Sequence, residues 1–158
     1  MLDLIQNNNL PPNFILKICQ YNMNMQLSEL NNAEDNLKSK FDIICCQEPN
    51  FNRKYQRHLV KSSTCVISSQ QQQTRSAIMY DKSLLAVEIS QYTNDYINMV
   101  EVSTPFSPIR ILNCYIPPYK LEYKDIIVGI VSEIDRIVRL NNHVPLLVIG
   151  DFNARSTQ

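Results

Sequence analysis

LLVIGDFNAR (residues 146–155) sets four apolar residues and one of the chain's two glycines directly before an aspartate and an asparagine. A short, unbroken apolar run of this kind is the pattern of a strand buried on both faces. VPLLVIG (144–150) is therefore expected to be a fully buried strand, with Asp151 and Asn153 just past its end. The same punctuation recurs upstream. FILKICQY (14–21) is followed by Asn22, FDIICCQE (41–48) closes on Gln47-Glu48 before Pro49, and RILNCYI (110–116) carries Tyr115 ahead of Pro117-Pro118.

Between these runs lie two helical patterns. SELNNAEDNLKSK (28–40) has Ser28 as an N-cap, Glu29 in the first turn and lysines in the last, the usual helix boundaries. LEYKDIIVGIVSEIDRIVRLNN (121–142) places Ile126, Ile127, Ile130, Val131, Ile134, Ile137 and Val138 at helical spacing. Lys124, Ser132, Glu133, Arg136 and Arg139 fall mainly on the other side, with basic residues toward the C-terminus. The middle is β-rich: TCVISS (64–69), SAIMYD (76–81), LLAVEIS (84–90) and INMVEVS (97–103) follow one another at meander spacing. Gln70 to Gln73 reads as a solvent-facing turn. Strand, helix and strand in quick succession at the start point to an α/β protein. Without repeat or linker, residues 1–158 read as a single domain, with 1–13 as a leader or arm.

Composition narrows the class without choosing a partner. With 44% hydrophobic and 19% charged residues the chain matches an ordinary soluble globular domain. Fifteen basic residues offset fifteen acidic ones, so there is no global electrostatic footprint for nucleic acid, although a groove can still be locally basic. The five cysteines form no CxxC pair and no zinc-ligand spacing with histidine, which suits buried thiols in a reducing compartment. The N-terminus lacks a basic signal-peptide region and no run reaches membrane-span length. The expectation is an intracellular protein, nuclear or cytoplasmic, with no membrane partner.

The polar strand ends carry the chemistry. In α/β sheets ligands bind beyond the carboxyl ends of strands. Asn22, Glu48, Tyr115, Asp151 and Asn153 gathered on one rim would give two carboxylates, two carboxamides and a phenol. Oxygen donors without histidine or thiolate suit Mg²⁺ or Mn²⁺ better than zinc. Each residue alone has an ordinary alternative: a solvated strand end for Glu48, a turn for Asn22, half-buried packing for Tyr115, an Asx-turn for Asp151 with Asn153. Together they offer what phosphate-ester cleavage requires: a cation on phosphoryl oxygens, a group to position water, and donors for developing charge.

QYNMN, DIICCQEP, NCYIPP and VIGDFNAR stand in the order of the endonuclease/exonuclease/phosphatase superfamily. From Phe14 onward, with RSAIMYD (75–81) as a further match, the chain resembles the N-terminal part of the endonuclease domain of a non-LTR (LINE-type) retrotransposon. The resemblance implies an α/β fold, a partial four-layer sandwich of two mixed, mostly antiparallel sheets flanked by helices. It implies a Mg²⁺- or Mn²⁺-dependent DNA endonuclease that nicks its target to prime reverse transcription, with a reverse transcriptase module in the parent protein. Glu48, with Asn22 and Asp151, would hold the metal. Asp151 would also orient or deprotonate water, Asn153 would hold the scissile phosphate, and Tyr115 would donate to a nonbridging oxygen. The family's later segment carries a further Asp and a Ser-Asp-His strand end. Here the only histidines are His58, in a surface loop or helix, and His143, in a helix-to-strand turn; neither follows GDFN. The expectation is a C-terminally incomplete domain with weak activity or none.

Two other readings share the residues: a phosphoesterase of the same fold acting on inositol phosphates, lipid headgroups or RNA tails, and a non-catalytic scaffold. Arg53, Lys54, Arg57, His58 and Lys61 form the densest basic cluster, either a contact for the DNA phosphate backbone or a solvated face.

Overall fold

The computed structural model of the chain describes residues 13–49, 63–69, 74–141 and 143–154. The chain runs β1 (Ile18–Asn22), α1 (Leu27–Asn32), a π-helical turn (Ala33–Leu37), β2 (Ile43–Gln47), β3 (Thr64–Ser68) and β4 (Ser76–Asp81). It continues through β5 (Ala86–Glu88), β6 (Ile97–Val102), β7 (Ile109–Tyr115), α2 (Lys124–Leu140) and β8 (Leu146–Asp151). Two four-stranded sheets result, ordered β1-β2-β4-β3 and β5-β6-β7-β8. The pairs β1/β2 and β7/β8 are parallel, each joined by a helical crossover, and the other neighbours are antiparallel.

Period-two alternation assigns each strand face to a layer. On β2, Ile43 and Cys45 point between the sheets, where they meet Ile78, Tyr80, Val100, Val102 and Ile111. Ile44 and Cys46 point the other way, to Leu30 and Ala33 of the first helical segment. On the second sheet Ile97, Met99, Leu112 and Cys114 pack under Ile130 and Ile137 of α2. The order is therefore helix, sheet, sheet, helix. β2 is buried along its whole length because strands flank both its edges and apolar layers cover both its faces. Among the described residues no helix is long and apolar enough to cross a membrane.

The elements depart from the sequence reading in several places. α1 starts at Leu27, after the extended Gln26, and Ser28 is not its cap. The turn after β1 delivers the chain early, through the Gln26 N–H to Met23 carbonyl bond of 2.9 Å. Beyond it the π-helical turn ends at Leu37, short of Lys40. The four β-rich runs are not one meander: β4 has β2 and β3 on its two edges, so β5 pairs in the other sheet. α2 buries only Ile130 and Ile137 fully, because it rests on the sheet along a narrow stripe and leaves Val131 and Val138 half exposed. β8 is not fully buried either. It pairs with β7 alone among the described residues, and Leu147 is 38% exposed.

The two glycines have opposite physical roles. A Cβ at Gly150 would stand 2.1 Å from the carbonyl oxygen of Cys114, its partner in the parallel ladder, whereas one at Gly129 on α2 would meet nothing within 4 Å. Gly150→Ala should destabilise the chain by roughly 1–3 kcal/mol, since the obstacle is backbone that cannot rotate away. Gly129→Ala should stabilise it by about 0.5–1 kcal/mol through the lower cost of ordering an alanine in a helix. Urea midpoints of the two variants check the pair, and equal shifts would contradict the geometry.

Candidate functional site

The two parallel pairs bring four strand ends to one rim. In register, Asn22 of β1 lies beside Gln47 of β2, and Tyr115 of β7 lies beside Asp151 of β8. Two side-chain bonds then cross from sheet to sheet. The Tyr115 hydroxyl donates to Glu48 Oε1 at 2.8 Å, and Asn22 Nδ2 donates to Asp151 Oδ2 at 2.9 Å. One bond joins the inner strands and the other the edge strands.

Beneath them sits a buried polar node. Asn113, two residues before Tyr115 and on the same face of β7, has no solvent exposure, and neither does Gln47. Gln47 Nε2 donates to Asn113 Oδ1 at 2.6 Å, and Asn113 Nδ2 donates to the carbonyls of Cys46 at 3.0 Å and Ala77 at 2.8 Å. Gln20 Nε2 in turn donates to Gln47 Oε1 at 3.2 Å. A carboxamide offers two donors and two acceptor sites, and this pair commits most of them to holding the sheets together.

The loops around the rim are locally fixed. Asn22 Oδ1 accepts the Asn24 N–H at 2.8 Å and Asp151 Oδ1 accepts the Asn153 N–H at 3.1 Å, two Asx-turns that set both chain reversals. Asn153 Nδ2 donates to the Ile116 carbonyl at 2.9 Å, while the Ile116 N–H donates to the Asp151 carbonyl at 2.8 Å. Glu48 has a left-handed backbone (φ 47°), as do Asn24 (46°), Met25 (57°) and Asn153 (43°). Non-glycine residues held in this region cost energy and concentrate where function over-determines the backbone. The Glu48 peptide is pinned on both sides, its N–H to the Arg75 carbonyl at 2.8 Å and its carbonyl to the Met25 N–H at 2.9 Å.

All five expected residues thus meet at the rim: Asn22, Glu48, Tyr115 and Asp151 through direct bonds between the sheets, and Asn153 beside them. Arg53, Lys54, Arg57, His58 and Lys61 lie outside the described residues. His143 is exposed in the turn between α2 and β8. Two participants escaped the sequence reading. Arg75 places Nη1 3.9 Å from Glu48 Oε1, and its only signal was a cation directly preceding a β-rich run. Asn113 could have been noticed as a polar residue of inward parity inside an apolar strand.

The rim is acidic and oxygen-rich. Among the described residues no three His, Cys, Asp or Glu side chains cluster; the rim's two carboxylates are Glu48, bonded by the Tyr115 hydroxyl, and Asp151, bonded by the Asn22 amide nitrogen. That donor set fits a hard divalent cation. The thiols fit no such role: all five cysteines are free, and burial pushes Cys45 and Cys114 up to about 12 and Cys46 well above its ordinary value. Burial, followed by the hydrogen bond to Glu48 and that carboxylate's charge, holds the Tyr115 phenol well above its usual range. Tyr115 is therefore a proton donor at every physiological pH.

No family model matches the chain, and no curated protein does. Solved structures do match. The fold they share with this chain is that of the endonuclease/exonuclease/phosphatase group. Within it, the chain is similar to the endonuclease domain of TRAS1, a telomere-specific non-LTR retrotransposon, with 25% identity and a TM-score of 0.70 over 90% of this chain and 61% of that one. A humanized D. rerio TDP2 is 16% identical with a TM-score of 0.60, covering 89% and 63%. The human Nocturnin catalytic domain is 15% identical with a TM-score of 0.57, covering 90% and 65%. The chain thus spans less than two thirds of the length of each of these structures.

Two measurements probe the site's construction. In an alkaline absorbance titration, the difference between wild type and Tyr115→Phe should contain no phenolate gain near the ordinary tyrosine value of about 10. Glu48→Gln should bring that transition down by removing a bonded negative charge. Because the folded value is raised, the associated stability is complete below the unfolded value and fades as pH climbs past it. Asn113→Ala, which leaves one Gln47 Nε2 hydrogen and the Cys46 and Ala77 carbonyls without this partner in the interior, should cost roughly 1–3 kcal/mol in unfolding free energy.

Proposed function

We propose that this chain is the metal-binding part of a DNA endonuclease of the retrotransposon type. The observation that carries the reading is the cross-sheet pairing of Glu48 with Tyr115 and of Asn22 with Asp151 at a single rim. Its similarity to the TRAS1 endonuclease domain favours DNA among the phosphoesters this fold serves. A TDP2 neighbour is described in complex with a single-strand DNA product, which supports a phosphodiester backbone as partner.

In this reading Glu48, with Asn22 and Asp151, holds Mg²⁺ or Mn²⁺, which when bound neutralises charge on the phosphoryl oxygens. Tyr115 donates its retained proton to a nonbridging oxygen. Asp151, oriented by Asn22 and the Asn153 N–H, accepts a proton from the attacking water. Asn153 steadies the phosphate from the mouth of β8, and Arg53, Lys54 and Arg57 contact the DNA phosphate backbone. The nick leaves a 3′ hydroxyl on which a reverse transcriptase module of the parent protein extends.

Neither His58 nor His143 follows GDFN, and the match covers 61% of the TRAS1 domain. Losing one preorganised donor to a developing charge typically costs about 10²–10³ in rate. A purified chain of these 158 residues is therefore expected to bind metal and to turn over weakly or not at all.

Calorimetric titration of Mn²⁺ into the purified chain should reveal a site that Glu48→Gln weakens by about tenfold or more, as expected when a carboxylate ligand loses its charge. The same preparation should not nick supercoiled plasmid in Mg²⁺ appreciably. Robust nicking abolished by Glu48→Ala would overturn the expectation of weak turnover. Absence of any metal site would favour the scaffold reading, and metal binding with cleavage of small phosphate esters in preference to DNA would favour a phosphoesterase.

A further inference from the structure

We infer that Arg75 is a phosphate-binding residue, serving as counter-ion to Glu48 until a divalent cation takes that carboxylate and the guanidinium turns to a nonbridging oxygen of the phosphodiester. The inference rests on the metal-site reading given above.

The backbone of Arg75 has no freedom of its own. Its carbonyl accepts the Glu48 N–H at 2.8 Å and its N–H donates to the Asp95 carbonyl at 2.7 Å, so only the side chain can move. That side chain is poorly satisfied where it stands. Nη1 lies 3.9 Å from Glu48 Oε1 and 3.6 Å from the Met25 sulfur, a weak acceptor. Other arginines of this molecule behave differently. Arg136 grips Glu133 with two bonds at 2.8 and 2.6 Å, Arg110 reaches Glu101 at 2.8 Å, and Arg139 reaches Asp135 at 2.8 Å.

Glu48 Oε1 accepts the Tyr115 hydroxyl at 2.8 Å, and Arg75 Nη1 stays 3.9 Å from the same oxygen. The guanidinium contributes charge to the carboxylate without closing a fork on it. A planar fork of N–H donors that closes no bidentate pair on Glu48, and is one third exposed, matches the geometry of a phosphate. A divalent cation on Glu48 would compete with Arg75 for the same negative charge and repel it toward an incoming anion.

The test uses the 158-residue chain, with Mn²⁺ binding followed by electron paramagnetic resonance. Binding of a fluorescent DNA duplex in Ca²⁺ is followed by anisotropy at several salt concentrations. Arg75→Met should tighten Mn²⁺ severalfold, because a competing cation is gone. It should weaken DNA about tenfold, as loss of a charge-assisted bond does, and flatten the salt dependence by about one phosphate contact. Arg75→Lys, which keeps the charge, should retain the wild-type Mn²⁺ affinity and most of the salt slope. If Arg75→Met does not fold by circular dichroism, Arg75→Gln carries the same expectations. An arginine that only orients Glu48 would give the opposite sign, weaker Mn²⁺ with an unchanged salt slope, and that result overturns the assignment. Unchanged binding of both by a wild type that binds each also overturns it, leaving the metal-site reading standing. A wild type that binds neither removes both.

Discussion

The bond between Gln47 and Asn113 is the constraint from which the rest of the architecture can be traced. Two sheets packed through aliphatic side chains can slide, because dispersion and hydrophobic burial have little directional preference. A buried carboxamide pair cannot. Asn113 reaches from β7 to Gln47 and to two backbone carbonyls of the opposite sheet, all within 3.0 Å. A displacement of one residue would leave these polar atoms in an apolar interior without partners, a penalty larger than any gain from repacking aliphatics. With β2 and β7 locked, Glu48 and Tyr115 follow one and two residues later, and the parallel ladders carry the lock outward to Asn22 and Asp151.

Legibility in the sequence follows the same physics. Apolar runs announced the strands because burial imposes composition, and β4 (Ser76–Asp81) falls where SAIMYD placed it. The polar strand ends were readable because a polar residue closing an apolar run stands out. What a one-dimensional pattern does not encode is which edge of a strand is occupied. LLAVEIS and SAIMYD look like neighbours, yet β4 is already flanked on both edges and its successor joins the other sheet. Likewise the apolar run of β8 is the composition of an inner strand, while its partial exposure reflects neighbours that the run itself does not name.

The site residues divide in the same way. Glu48 and Asp151 were found because carboxylates are conspicuous after apolar runs. Asn113 was passed over because, in sequence, a single asparagine in a strand is equally compatible with an outward-facing position. Arg75 was passed over because its relation to Glu48 is made by the backbone hydrogen bond between residues 27 positions apart, which no local pattern records. Charged residues at the surface are common, and only the distance to a particular carboxylate singles one out.

The pairing of Asn22 with Asp151 joins residues 129 positions apart, so nearly the whole chain lies inside the loop it closes. During synthesis the first sheet can begin to collapse once β4 has been made, long before Asp151 exists. Closing so distant a contact is entropically slow and comes after the local hairpins and helices that shorten the effective loop. A nascent chain therefore carries folded layers but no completed rim until β8 has docked. The order of synthesis acts as a timer, keeping the rim's two carboxylates apart on any incompletely assembled intermediate.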